Sequence, residues 1–291
     1  MSDVRPRGYA SLTVHRARGL IWVCDISKSS SYINSDDHAE EFEAFLPRLH
    51  WVSSLAIDAL GGEFIQWTGD GFIAWFPLAV ERALGRTADR ILEAVWQFSA
   101  FVNATQLCVP TTRPFRIRHA LTYEPDALVT EMTHQQSGHV SKIVSGRHVV
   151  LAFRLSGIEC DFPNVATTSK VEQALAARTR HLVQLKRWKP TAEQSLKHFK
   201  GEKLGTTGLV VSGRTRVHPA PADAWADKAA ALRAKADSRR GRASPAPGFL
   251  EPFVSRLAGS DDQPWCHDAL DAYRGFLRDG AFDDPAWGDA A

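Results

Sequence analysis

Two aspartates carry the first chemical signal in this chain. Asp25 closes the short apolar run GLIWVCD (Gly19 to Asp25), and Asp70 stands 45 residues later between Gly69 and Gly71 in QWTGDGFIAWF. If that run and the hairpin read from the second stretch are neighbours in one sheet, both carboxylates emerge at the same edge. Convergent carboxylates suit hard, oxygen-seeking cations such as Mg2+ or Mn2+, above all where phosphates supply the remaining ligands. The turn after Asp25, from Ser27 to Ser31 and including Ser29 and Ser30, offers backbone N–H groups at a helix start, which suits a phosphate. Each aspartate alone also has a plainer reading. Asp before SKSSS is a common cap, and Asp-Gly between alternating apolar runs is the strongest short-range hairpin signal.

The elements that must position these residues follow from periodicity. The length and β-branched content of Gly19 to Asp25 give a buried strand. In DDHAEEFEAFLPRLHWVSSLAIDALG, residues Phe42, Phe45, Leu46, Leu49, Val52, Leu55 and Ala59 mark one face of a helix, with acidic residues at its start. Pro47 predicts a kink there or a delayed start. EFIQWTGDGFIAWF gives two strands around the Gly69–Asp70–Gly71 turn, with Trp67 and Trp75 read as packing residues. A second amphipathic helix carries Val80, Leu84, Ile91, Leu92, Val95 and Phe98 in register. Phe115 to Tyr123 reads as a strand, Gly146 to Gly157 as a helix ending at glycine, and Leu196 to Gly213 as a final hairpin. Strands and helices that alternate but include hairpins give an α+β, or mixed α/β, class.

Composition sets outer bounds. The chain has 291 residues, enough for one sizeable core plus an appendage. With 35 basic and 33 acidic residues it lacks a general electrostatic footprint for nucleic acid, so no DNA partner is expected. The four cysteines, Cys24, Cys108, Cys160 and Cys266, show no CxxC spacing and read as reduced thiols. No secretory run opens the chain, and no stretch reaches the roughly 18 to 20 apolar residues of a membrane span. A soluble, cytoplasmic protein with no membrane association is expected. His119, His139 and His148 read as packed or surface residues.

Taken in order, WVCDISKSS, GGEFIQWTGDGFIAWF, RIRHALTY and SGRHVVLAFRLSG resemble the class III nucleotidyl cyclase catalytic domain. Its pattern is a DI[SV]GFT-like strand end, a K-x-x-GDG-like hairpin, an R-[VI]-G-[IL]-type strand and a G-[DE]-x-V-N-x-A-x-R helix. The resemblance implies a central, mostly antiparallel sheet with flanking helices around a ferredoxin-like core. It covers residues 19–213, leaving 1–18 as an N-terminal extension. Residues 214–291 are set apart as an Ala/Arg/Pro-rich linker and C-terminal helical extension.

Carried over by position, the resemblance makes Asp25 and Asp70 the metal-bridging carboxylates of two divalent cations, Mn2+ or Mg2+, with the Ile26 carbonyl as a further ligand. Arg154 matches the arginine that stabilises the transition state. Lys203, ahead of Lys200, is assigned to the grip on the triphosphate. In the family the aspartates and the arginine come from different subunits, which implies a head-to-tail homodimer with shared active sites acting on a nucleoside triphosphate.

Two positions bear on the base. Purine cyclases of the family carry a lysine four residues before the hairpin aspartate, where this chain has Gln66, and an aspartate or threonine where it has Ile143. The ribose-orienting asparagine falls on Val150. Retained metal aspartates with lost purine readers resemble the uridylate and cytidylate cyclases of bacterial Pycsar antiphage systems. That resemblance implies conversion of UTP to cyclic UMP, read by a separate cyclic-nucleotide-responsive effector. The alternatives are a cytidylate or atypical adenylyl cyclase, or a catalytically silent module that binds nucleotide or a partner.

Overall fold

A computed structural model of the chain describes residues 9–34, 39–107, 115–160, 163–190, 199 and 208–212. An eight-stranded sheet forms its centre. In spatial order the strands are β2 (Glu63–Trp67), β3 (Gly71–Pro77), β1 (Tyr9–Ile26), β4 (Ile117–His134), β6 (Val165–Thr168), β8 (Leu209–Ser212) and β7 (Leu185–Trp188). Strand β5 (Val140–Ser145) pairs with the far half of β4. Among the described strands only the β4–β6 pair is parallel, so the architecture is the expected mixed α+β fold around a mostly antiparallel sheet.

The run from Leu20 to Cys24 is continuously apolar because both faces of β1 are covered there. Leu20, Trp22, Cys24 and Ile26 point into a core closed by α2 (Ala39–Ala59) and α3 (Leu84–Leu107). Ile21 and Val23 point to the other face, which α4 (Arg147–Ser156) covers through Val149, Leu151, Ala152 and Leu155. Glu40 and Glu41 fill the first turn of α2, complementing its dipole. The helix spans Pro47 without a delayed start: it begins at Ala39. Short helices α1 (Ser29–Ile33), α5 (Ser169–Ala174) and α6 (Ala177–Leu182) complete the described elements.

Three expectations are corrected. Strand β1 starts at Tyr9, not Gly19, and residues 9–18, read as an extension, continue the same strand paired to β4 from Tyr9↔His134 onward. Val80 lies outside its helix, as the exposed residue before a 3-10 turn, Glu81–Ala83. Of the expected hairpin from Leu196 to Gly213, residues 199 and 208–212 are described, and β8 pairs not within that stretch but with β6 and with Leu185–Trp188, upstream of Leu196. Residues 191–198, 200–207 and 213–291 lie outside the described residues.

One buried polar group is fixed by the first core. The Trp22 indole Nε1–H donates to His119 Nδ1 at 3.2 Å, and the opposite ring nitrogen lies 2.8 Å from Ser99 Oγ. Because an indole N–H only donates, Nδ1 is the acceptor and the proton sits on Nε2. Burial pushes the His119 pKa down to about 3, so the ring is a neutral packing residue. Trp75 is likewise buried in the core between the sheet and α4.

Candidate active site

The site is assembled at the C-terminal end of β1. Across the ladder, Asp25 faces Gly71 of β3 on one side and Arg118 of β4 on the other. The Asp70 turn is clasped to the same strand end: Ile26 N–H donates to the Asp70 carbonyl at 3.1 Å, and Thr68 N–H closes the hairpin onto Gly71 O at 2.7 Å. Two glycines make this possible. Gly69 adopts φ +98°, a left-handed conformation that L side chains rarely take. At Gly71 the constraint is space, because a Cβ there would sit 2.1 Å from the Cys24 carbonyl oxygen.

Hairpin geometry and a carboxylate pair are therefore one arrangement. Burial raises the Asp25 carboxyl above its ordinary range against the pull of Arg118. The neighbouring Asp70 carboxyl, close enough to hydrogen-bond with it, adds to the rise. Behind the pair the Cys24 thiol is wholly buried, and burial first, then the charges of Asp25 and Asp70, push its pKa well up.

Arg118 is the residue that the sequence reading missed. Its Nη2 forms an ion pair with Asp25 Oδ2, its Nη1 reaches the Gly157 carbonyl at a long 3.4 Å, and its buried Nε has no partner among the described residues. The signal was present in RIRHALTY, where the glycine of the R-[VI]-G-[IL] pattern falls on Arg118. A second cluster adjoins it. Ser27 Oγ donates to Glu159 Oε1, and Arg116 Nη1 reaches Glu159 Oε2 at 3.3 Å. Burial opposes ionisation of Glu159, but the Ser27 bond and the charges of Arg116, Lys28 and Arg118 hold its carboxyl below the ordinary range.

The donor set of the pair is that of a cation site. Two carboxylates converge, they are crowded enough to raise one of them, and a positive group is already drawn to an Asp25 oxygen. These residues fit a hard divalent cation. Among the described residues no group of three or more His, Cys, Asp and Glu side chains forms. Backbone carbonyls, water and phosphate oxygens are the other donors such a cation accepts.

The other candidate residues fall in different places. Ser29 and Ser30 open α1, a five-residue helix whose preceding residue, Lys28, takes φ +58°. Gln66 is exposed on β2, paired with Ile73. Ile143 lies on the β5 face opposite Lys142, in a row with Thr130 and Val14, and is 49% exposed. Lys142, not Ile143, reaches β2: its Nζ binds Glu63 Oε2 at 2.6 Å and Glu131 Oε1 at 2.7 Å. The structure thus does not bring Ile143 to Gln66.

Arg154 projects from the outer face of α4 with Val150 and Phe153, all exposed, and does not join the Asp25–Asp70–Arg118 cluster. What does fix α4 is Glu124, buried beneath its first turn, whose Oε2 accepts the His148 N–H at 2.9 Å. Burial acts against it, yet the hydrogen bonds from His148 and from the Asp126 N–H hold the Glu124 carboxyl below its ordinary range. Lys200 and Lys203 lie outside the described residues.

No family model matches the sequence, and no curated protein matches it. Several solved structures are similar to it at low identity. A guanylyl cyclase shares 18% identity over 70% of this chain and 95% of its own, with a TM-score of 0.48. The adenylyl cyclase CyaB from P. aeruginosa shares 14% identity over 70% of this chain and 97% of its own, with a TM-score of 0.44. A bacterial light-regulated adenylyl cyclase shares 15% identity over 71% of this chain, which spans 55% of that chain's length, with a TM-score of 0.46.

Proposed function

We propose that this chain is a nucleotidyl cyclase that converts UTP to 3′,5′-cyclic UMP and pyrophosphate. The observation that carries the reading is the convergence of Asp25 and Asp70, clasped by the Ile26–Asp70 backbone bond at 3.1 Å. In the reaction the ribose 3′-oxygen attacks the α-phosphorus and loses its proton. The bond to the β-phosphate oxygen breaks, and pyrophosphate leaves with the electron pair.

Asp25 and Asp70, with the Ile26 carbonyl, would hold two divalent cations, Mn2+ or Mg2+. Bound there, such ions supply charge neutralisation and a more acidic 3′-hydroxyl. The exposed Arg154 neutralises charge on the α-phosphoryl oxygens of a site completed by a second copy, which places it in a head-to-tail homodimer. Ser29 and Ser30 present N–H groups to phosphate, and Lys203 grips the triphosphate. Gln66 offers a donor and an acceptor to a pyrimidine edge, without help from Ile143, which lies on the opposite face of β5 from Lys142. In this reading the product is a second messenger of bacterial antiphage defence, made in the cytoplasm and read by a separate effector.

The Arg118–Asp25 ion pair favours a second reading, a silent module in which the guanidinium permanently holds the cation's place. One assay separates the two. Purified protein is incubated with each of the four nucleoside triphosphates and Mn2+, and the products are identified by mass spectrometry. Cyclic UMP is the expected product. Conversion of ATP alone overturns the pyrimidine assignment, and no product from any triphosphate leaves the silent module.

A further inference from the structure

We propose that Arg118 is a tethered counter-ion for the Asp25–Asp70 pair, a positioning residue that a divalent cation must displace from Asp25. The inference rests on the carboxylate pair being a cation site, as in the reading above.

Three features of the guanidinium argue for displacement over a fixed structural bridge. Its strong contact is with Asp25 Oδ2, one of the oxygens a cation would need. Its other hold is weak: the Nη1 bond to Gly157 O is 3.4 Å long, and Nε is buried without a partner among the described residues. A guanidinium has five N–H donors, so this one is held mainly through a single carboxylate. A second carboxylate is also close by. Glu159 lies near enough for the Arg118 charge to act on it, held by Ser27 and by Arg116 at 3.3 Å. Once a cation neutralises Asp25, the guanidinium is drawn to Glu159, still inside the site.

The ion pair is only partly screened, with the Arg118 and Asp25 side chains 15% and 25% exposed. Without a cation, Arg118 supplies the positive charge beside Asp25. With a cation, the same contact competes for Asp25. A purely structural bridge makes the opposite prediction, because its loss lets the carboxylates separate and weakens cation binding.

The test titrates Mn2+ into the full chain without nucleotide, following free Mn2+ by electron paramagnetic resonance. Arg118→Ala is expected to bind Mn2+ about tenfold more tightly than the unsubstituted chain, a difference of about 1.4 kcal/mol. Arg118→Lys, which keeps the charge but not the fork, is expected in between and carries the test if the alanine variant does not fold. Unchanged or weaker Mn2+ binding in the Arg118 variants overturns the proposal. Asp70→Asn separates the two levels of the argument. If it weakens Mn2+ binding while the Arg118 variants change nothing, only the Arg118 proposal fails. If Asp70→Asn leaves Mn2+ binding intact, the cation site and the proposal fail together.

Discussion

Gly71 faces Asp25 across the β1–β3 ladder, and a Cβ on it would lie 2.1 Å from the Cys24 carbonyl oxygen. The close approach of the two backbones brings the Asp70 turn against the strand end that bears Asp25. Gly71→Ala forces the strands apart and is expected to cost about 1 to 3 kcal/mol of stability, the usual range for overpacking. Gly69→Ala meets no neighbour but must hold φ +98°, at about 1 to 2 kcal/mol for a left-handed L residue. Denaturant unfolding of both variants checks the values, and equal stability in Gly71→Ala would contradict the packing described.

Asp70 sits in a turn whose backbone bonds do not use its side chain. Asp70→Asn should therefore keep the fold, with an unchanged far-ultraviolet circular dichroism spectrum. If the chain is the cyclase proposed above, turnover should fall by at least about 100-fold, the scale of losing one transition-state electrostatic contact. Activity that survives the substitution would remove Asp70 from the chemistry.

The outward face of Arg154 makes a complementation experiment decisive. In a head-to-tail dimer, Asp70→Asn and Arg154→Ala chains are each inactive, but a mixed dimer has one intact site. Random mixing makes half the dimers mixed, so about a quarter of normal activity returns. No recovery on mixing would argue that the site is completed within one chain.

His119 couples stability to pH. Its folded value of about 3 lies below the ordinary value of 6.5, so the unfolded chain binds a proton that the folded chain refuses. Above pH 6.5 the group has little effect. As the pH falls from there toward 3, stability is lost at up to about 1.4 kcal/mol per pH unit. Urea unfolding at pH 7, 6 and 5 measures the slope, and His119→Gln should remove about one proton's share of it.

Glu124→Ala leaves the His148 N–H at the start of α4 without its acceptor, an expected loss of about 1 to 3 kcal/mol. Glu124→Gln retains an acceptor and should lose less. Hydrogen exchange at the first turn of α4 reads the effect where it arises.

The carboxylate pair was legible in the sequence because each member sits at a punctuation point, a strand end and an Asp-Gly turn, where local rules place it. Arg118 was not, since its meaning depends on the β1–β4 register that sets it opposite Asp25, a pairing across 93 residues of sequence. The start of β1 escaped for a different reason. Tyr9 to Arg18 are largely exposed, so they lack the apolar run that announced the rest of the strand. The partner of β8 was also misplaced, because Lys186 and Arg187 are exposed and give Leu185–Trp188 a polar character. Arg154 was recognisable as an arginine on a helix, but only the packed face of α4 shows that it points outward.

Cys24 makes the site's own integrity measurable. Its thiol is sealed directly behind Asp25 and kept protonated by its surroundings, so a maleimide or iodoacetamide has neither access nor a thiolate to attack. Labelling at Cys24 thus becomes a clock for the opening of β1, ticking only when the strand that carries Asp25 leaves the sheet.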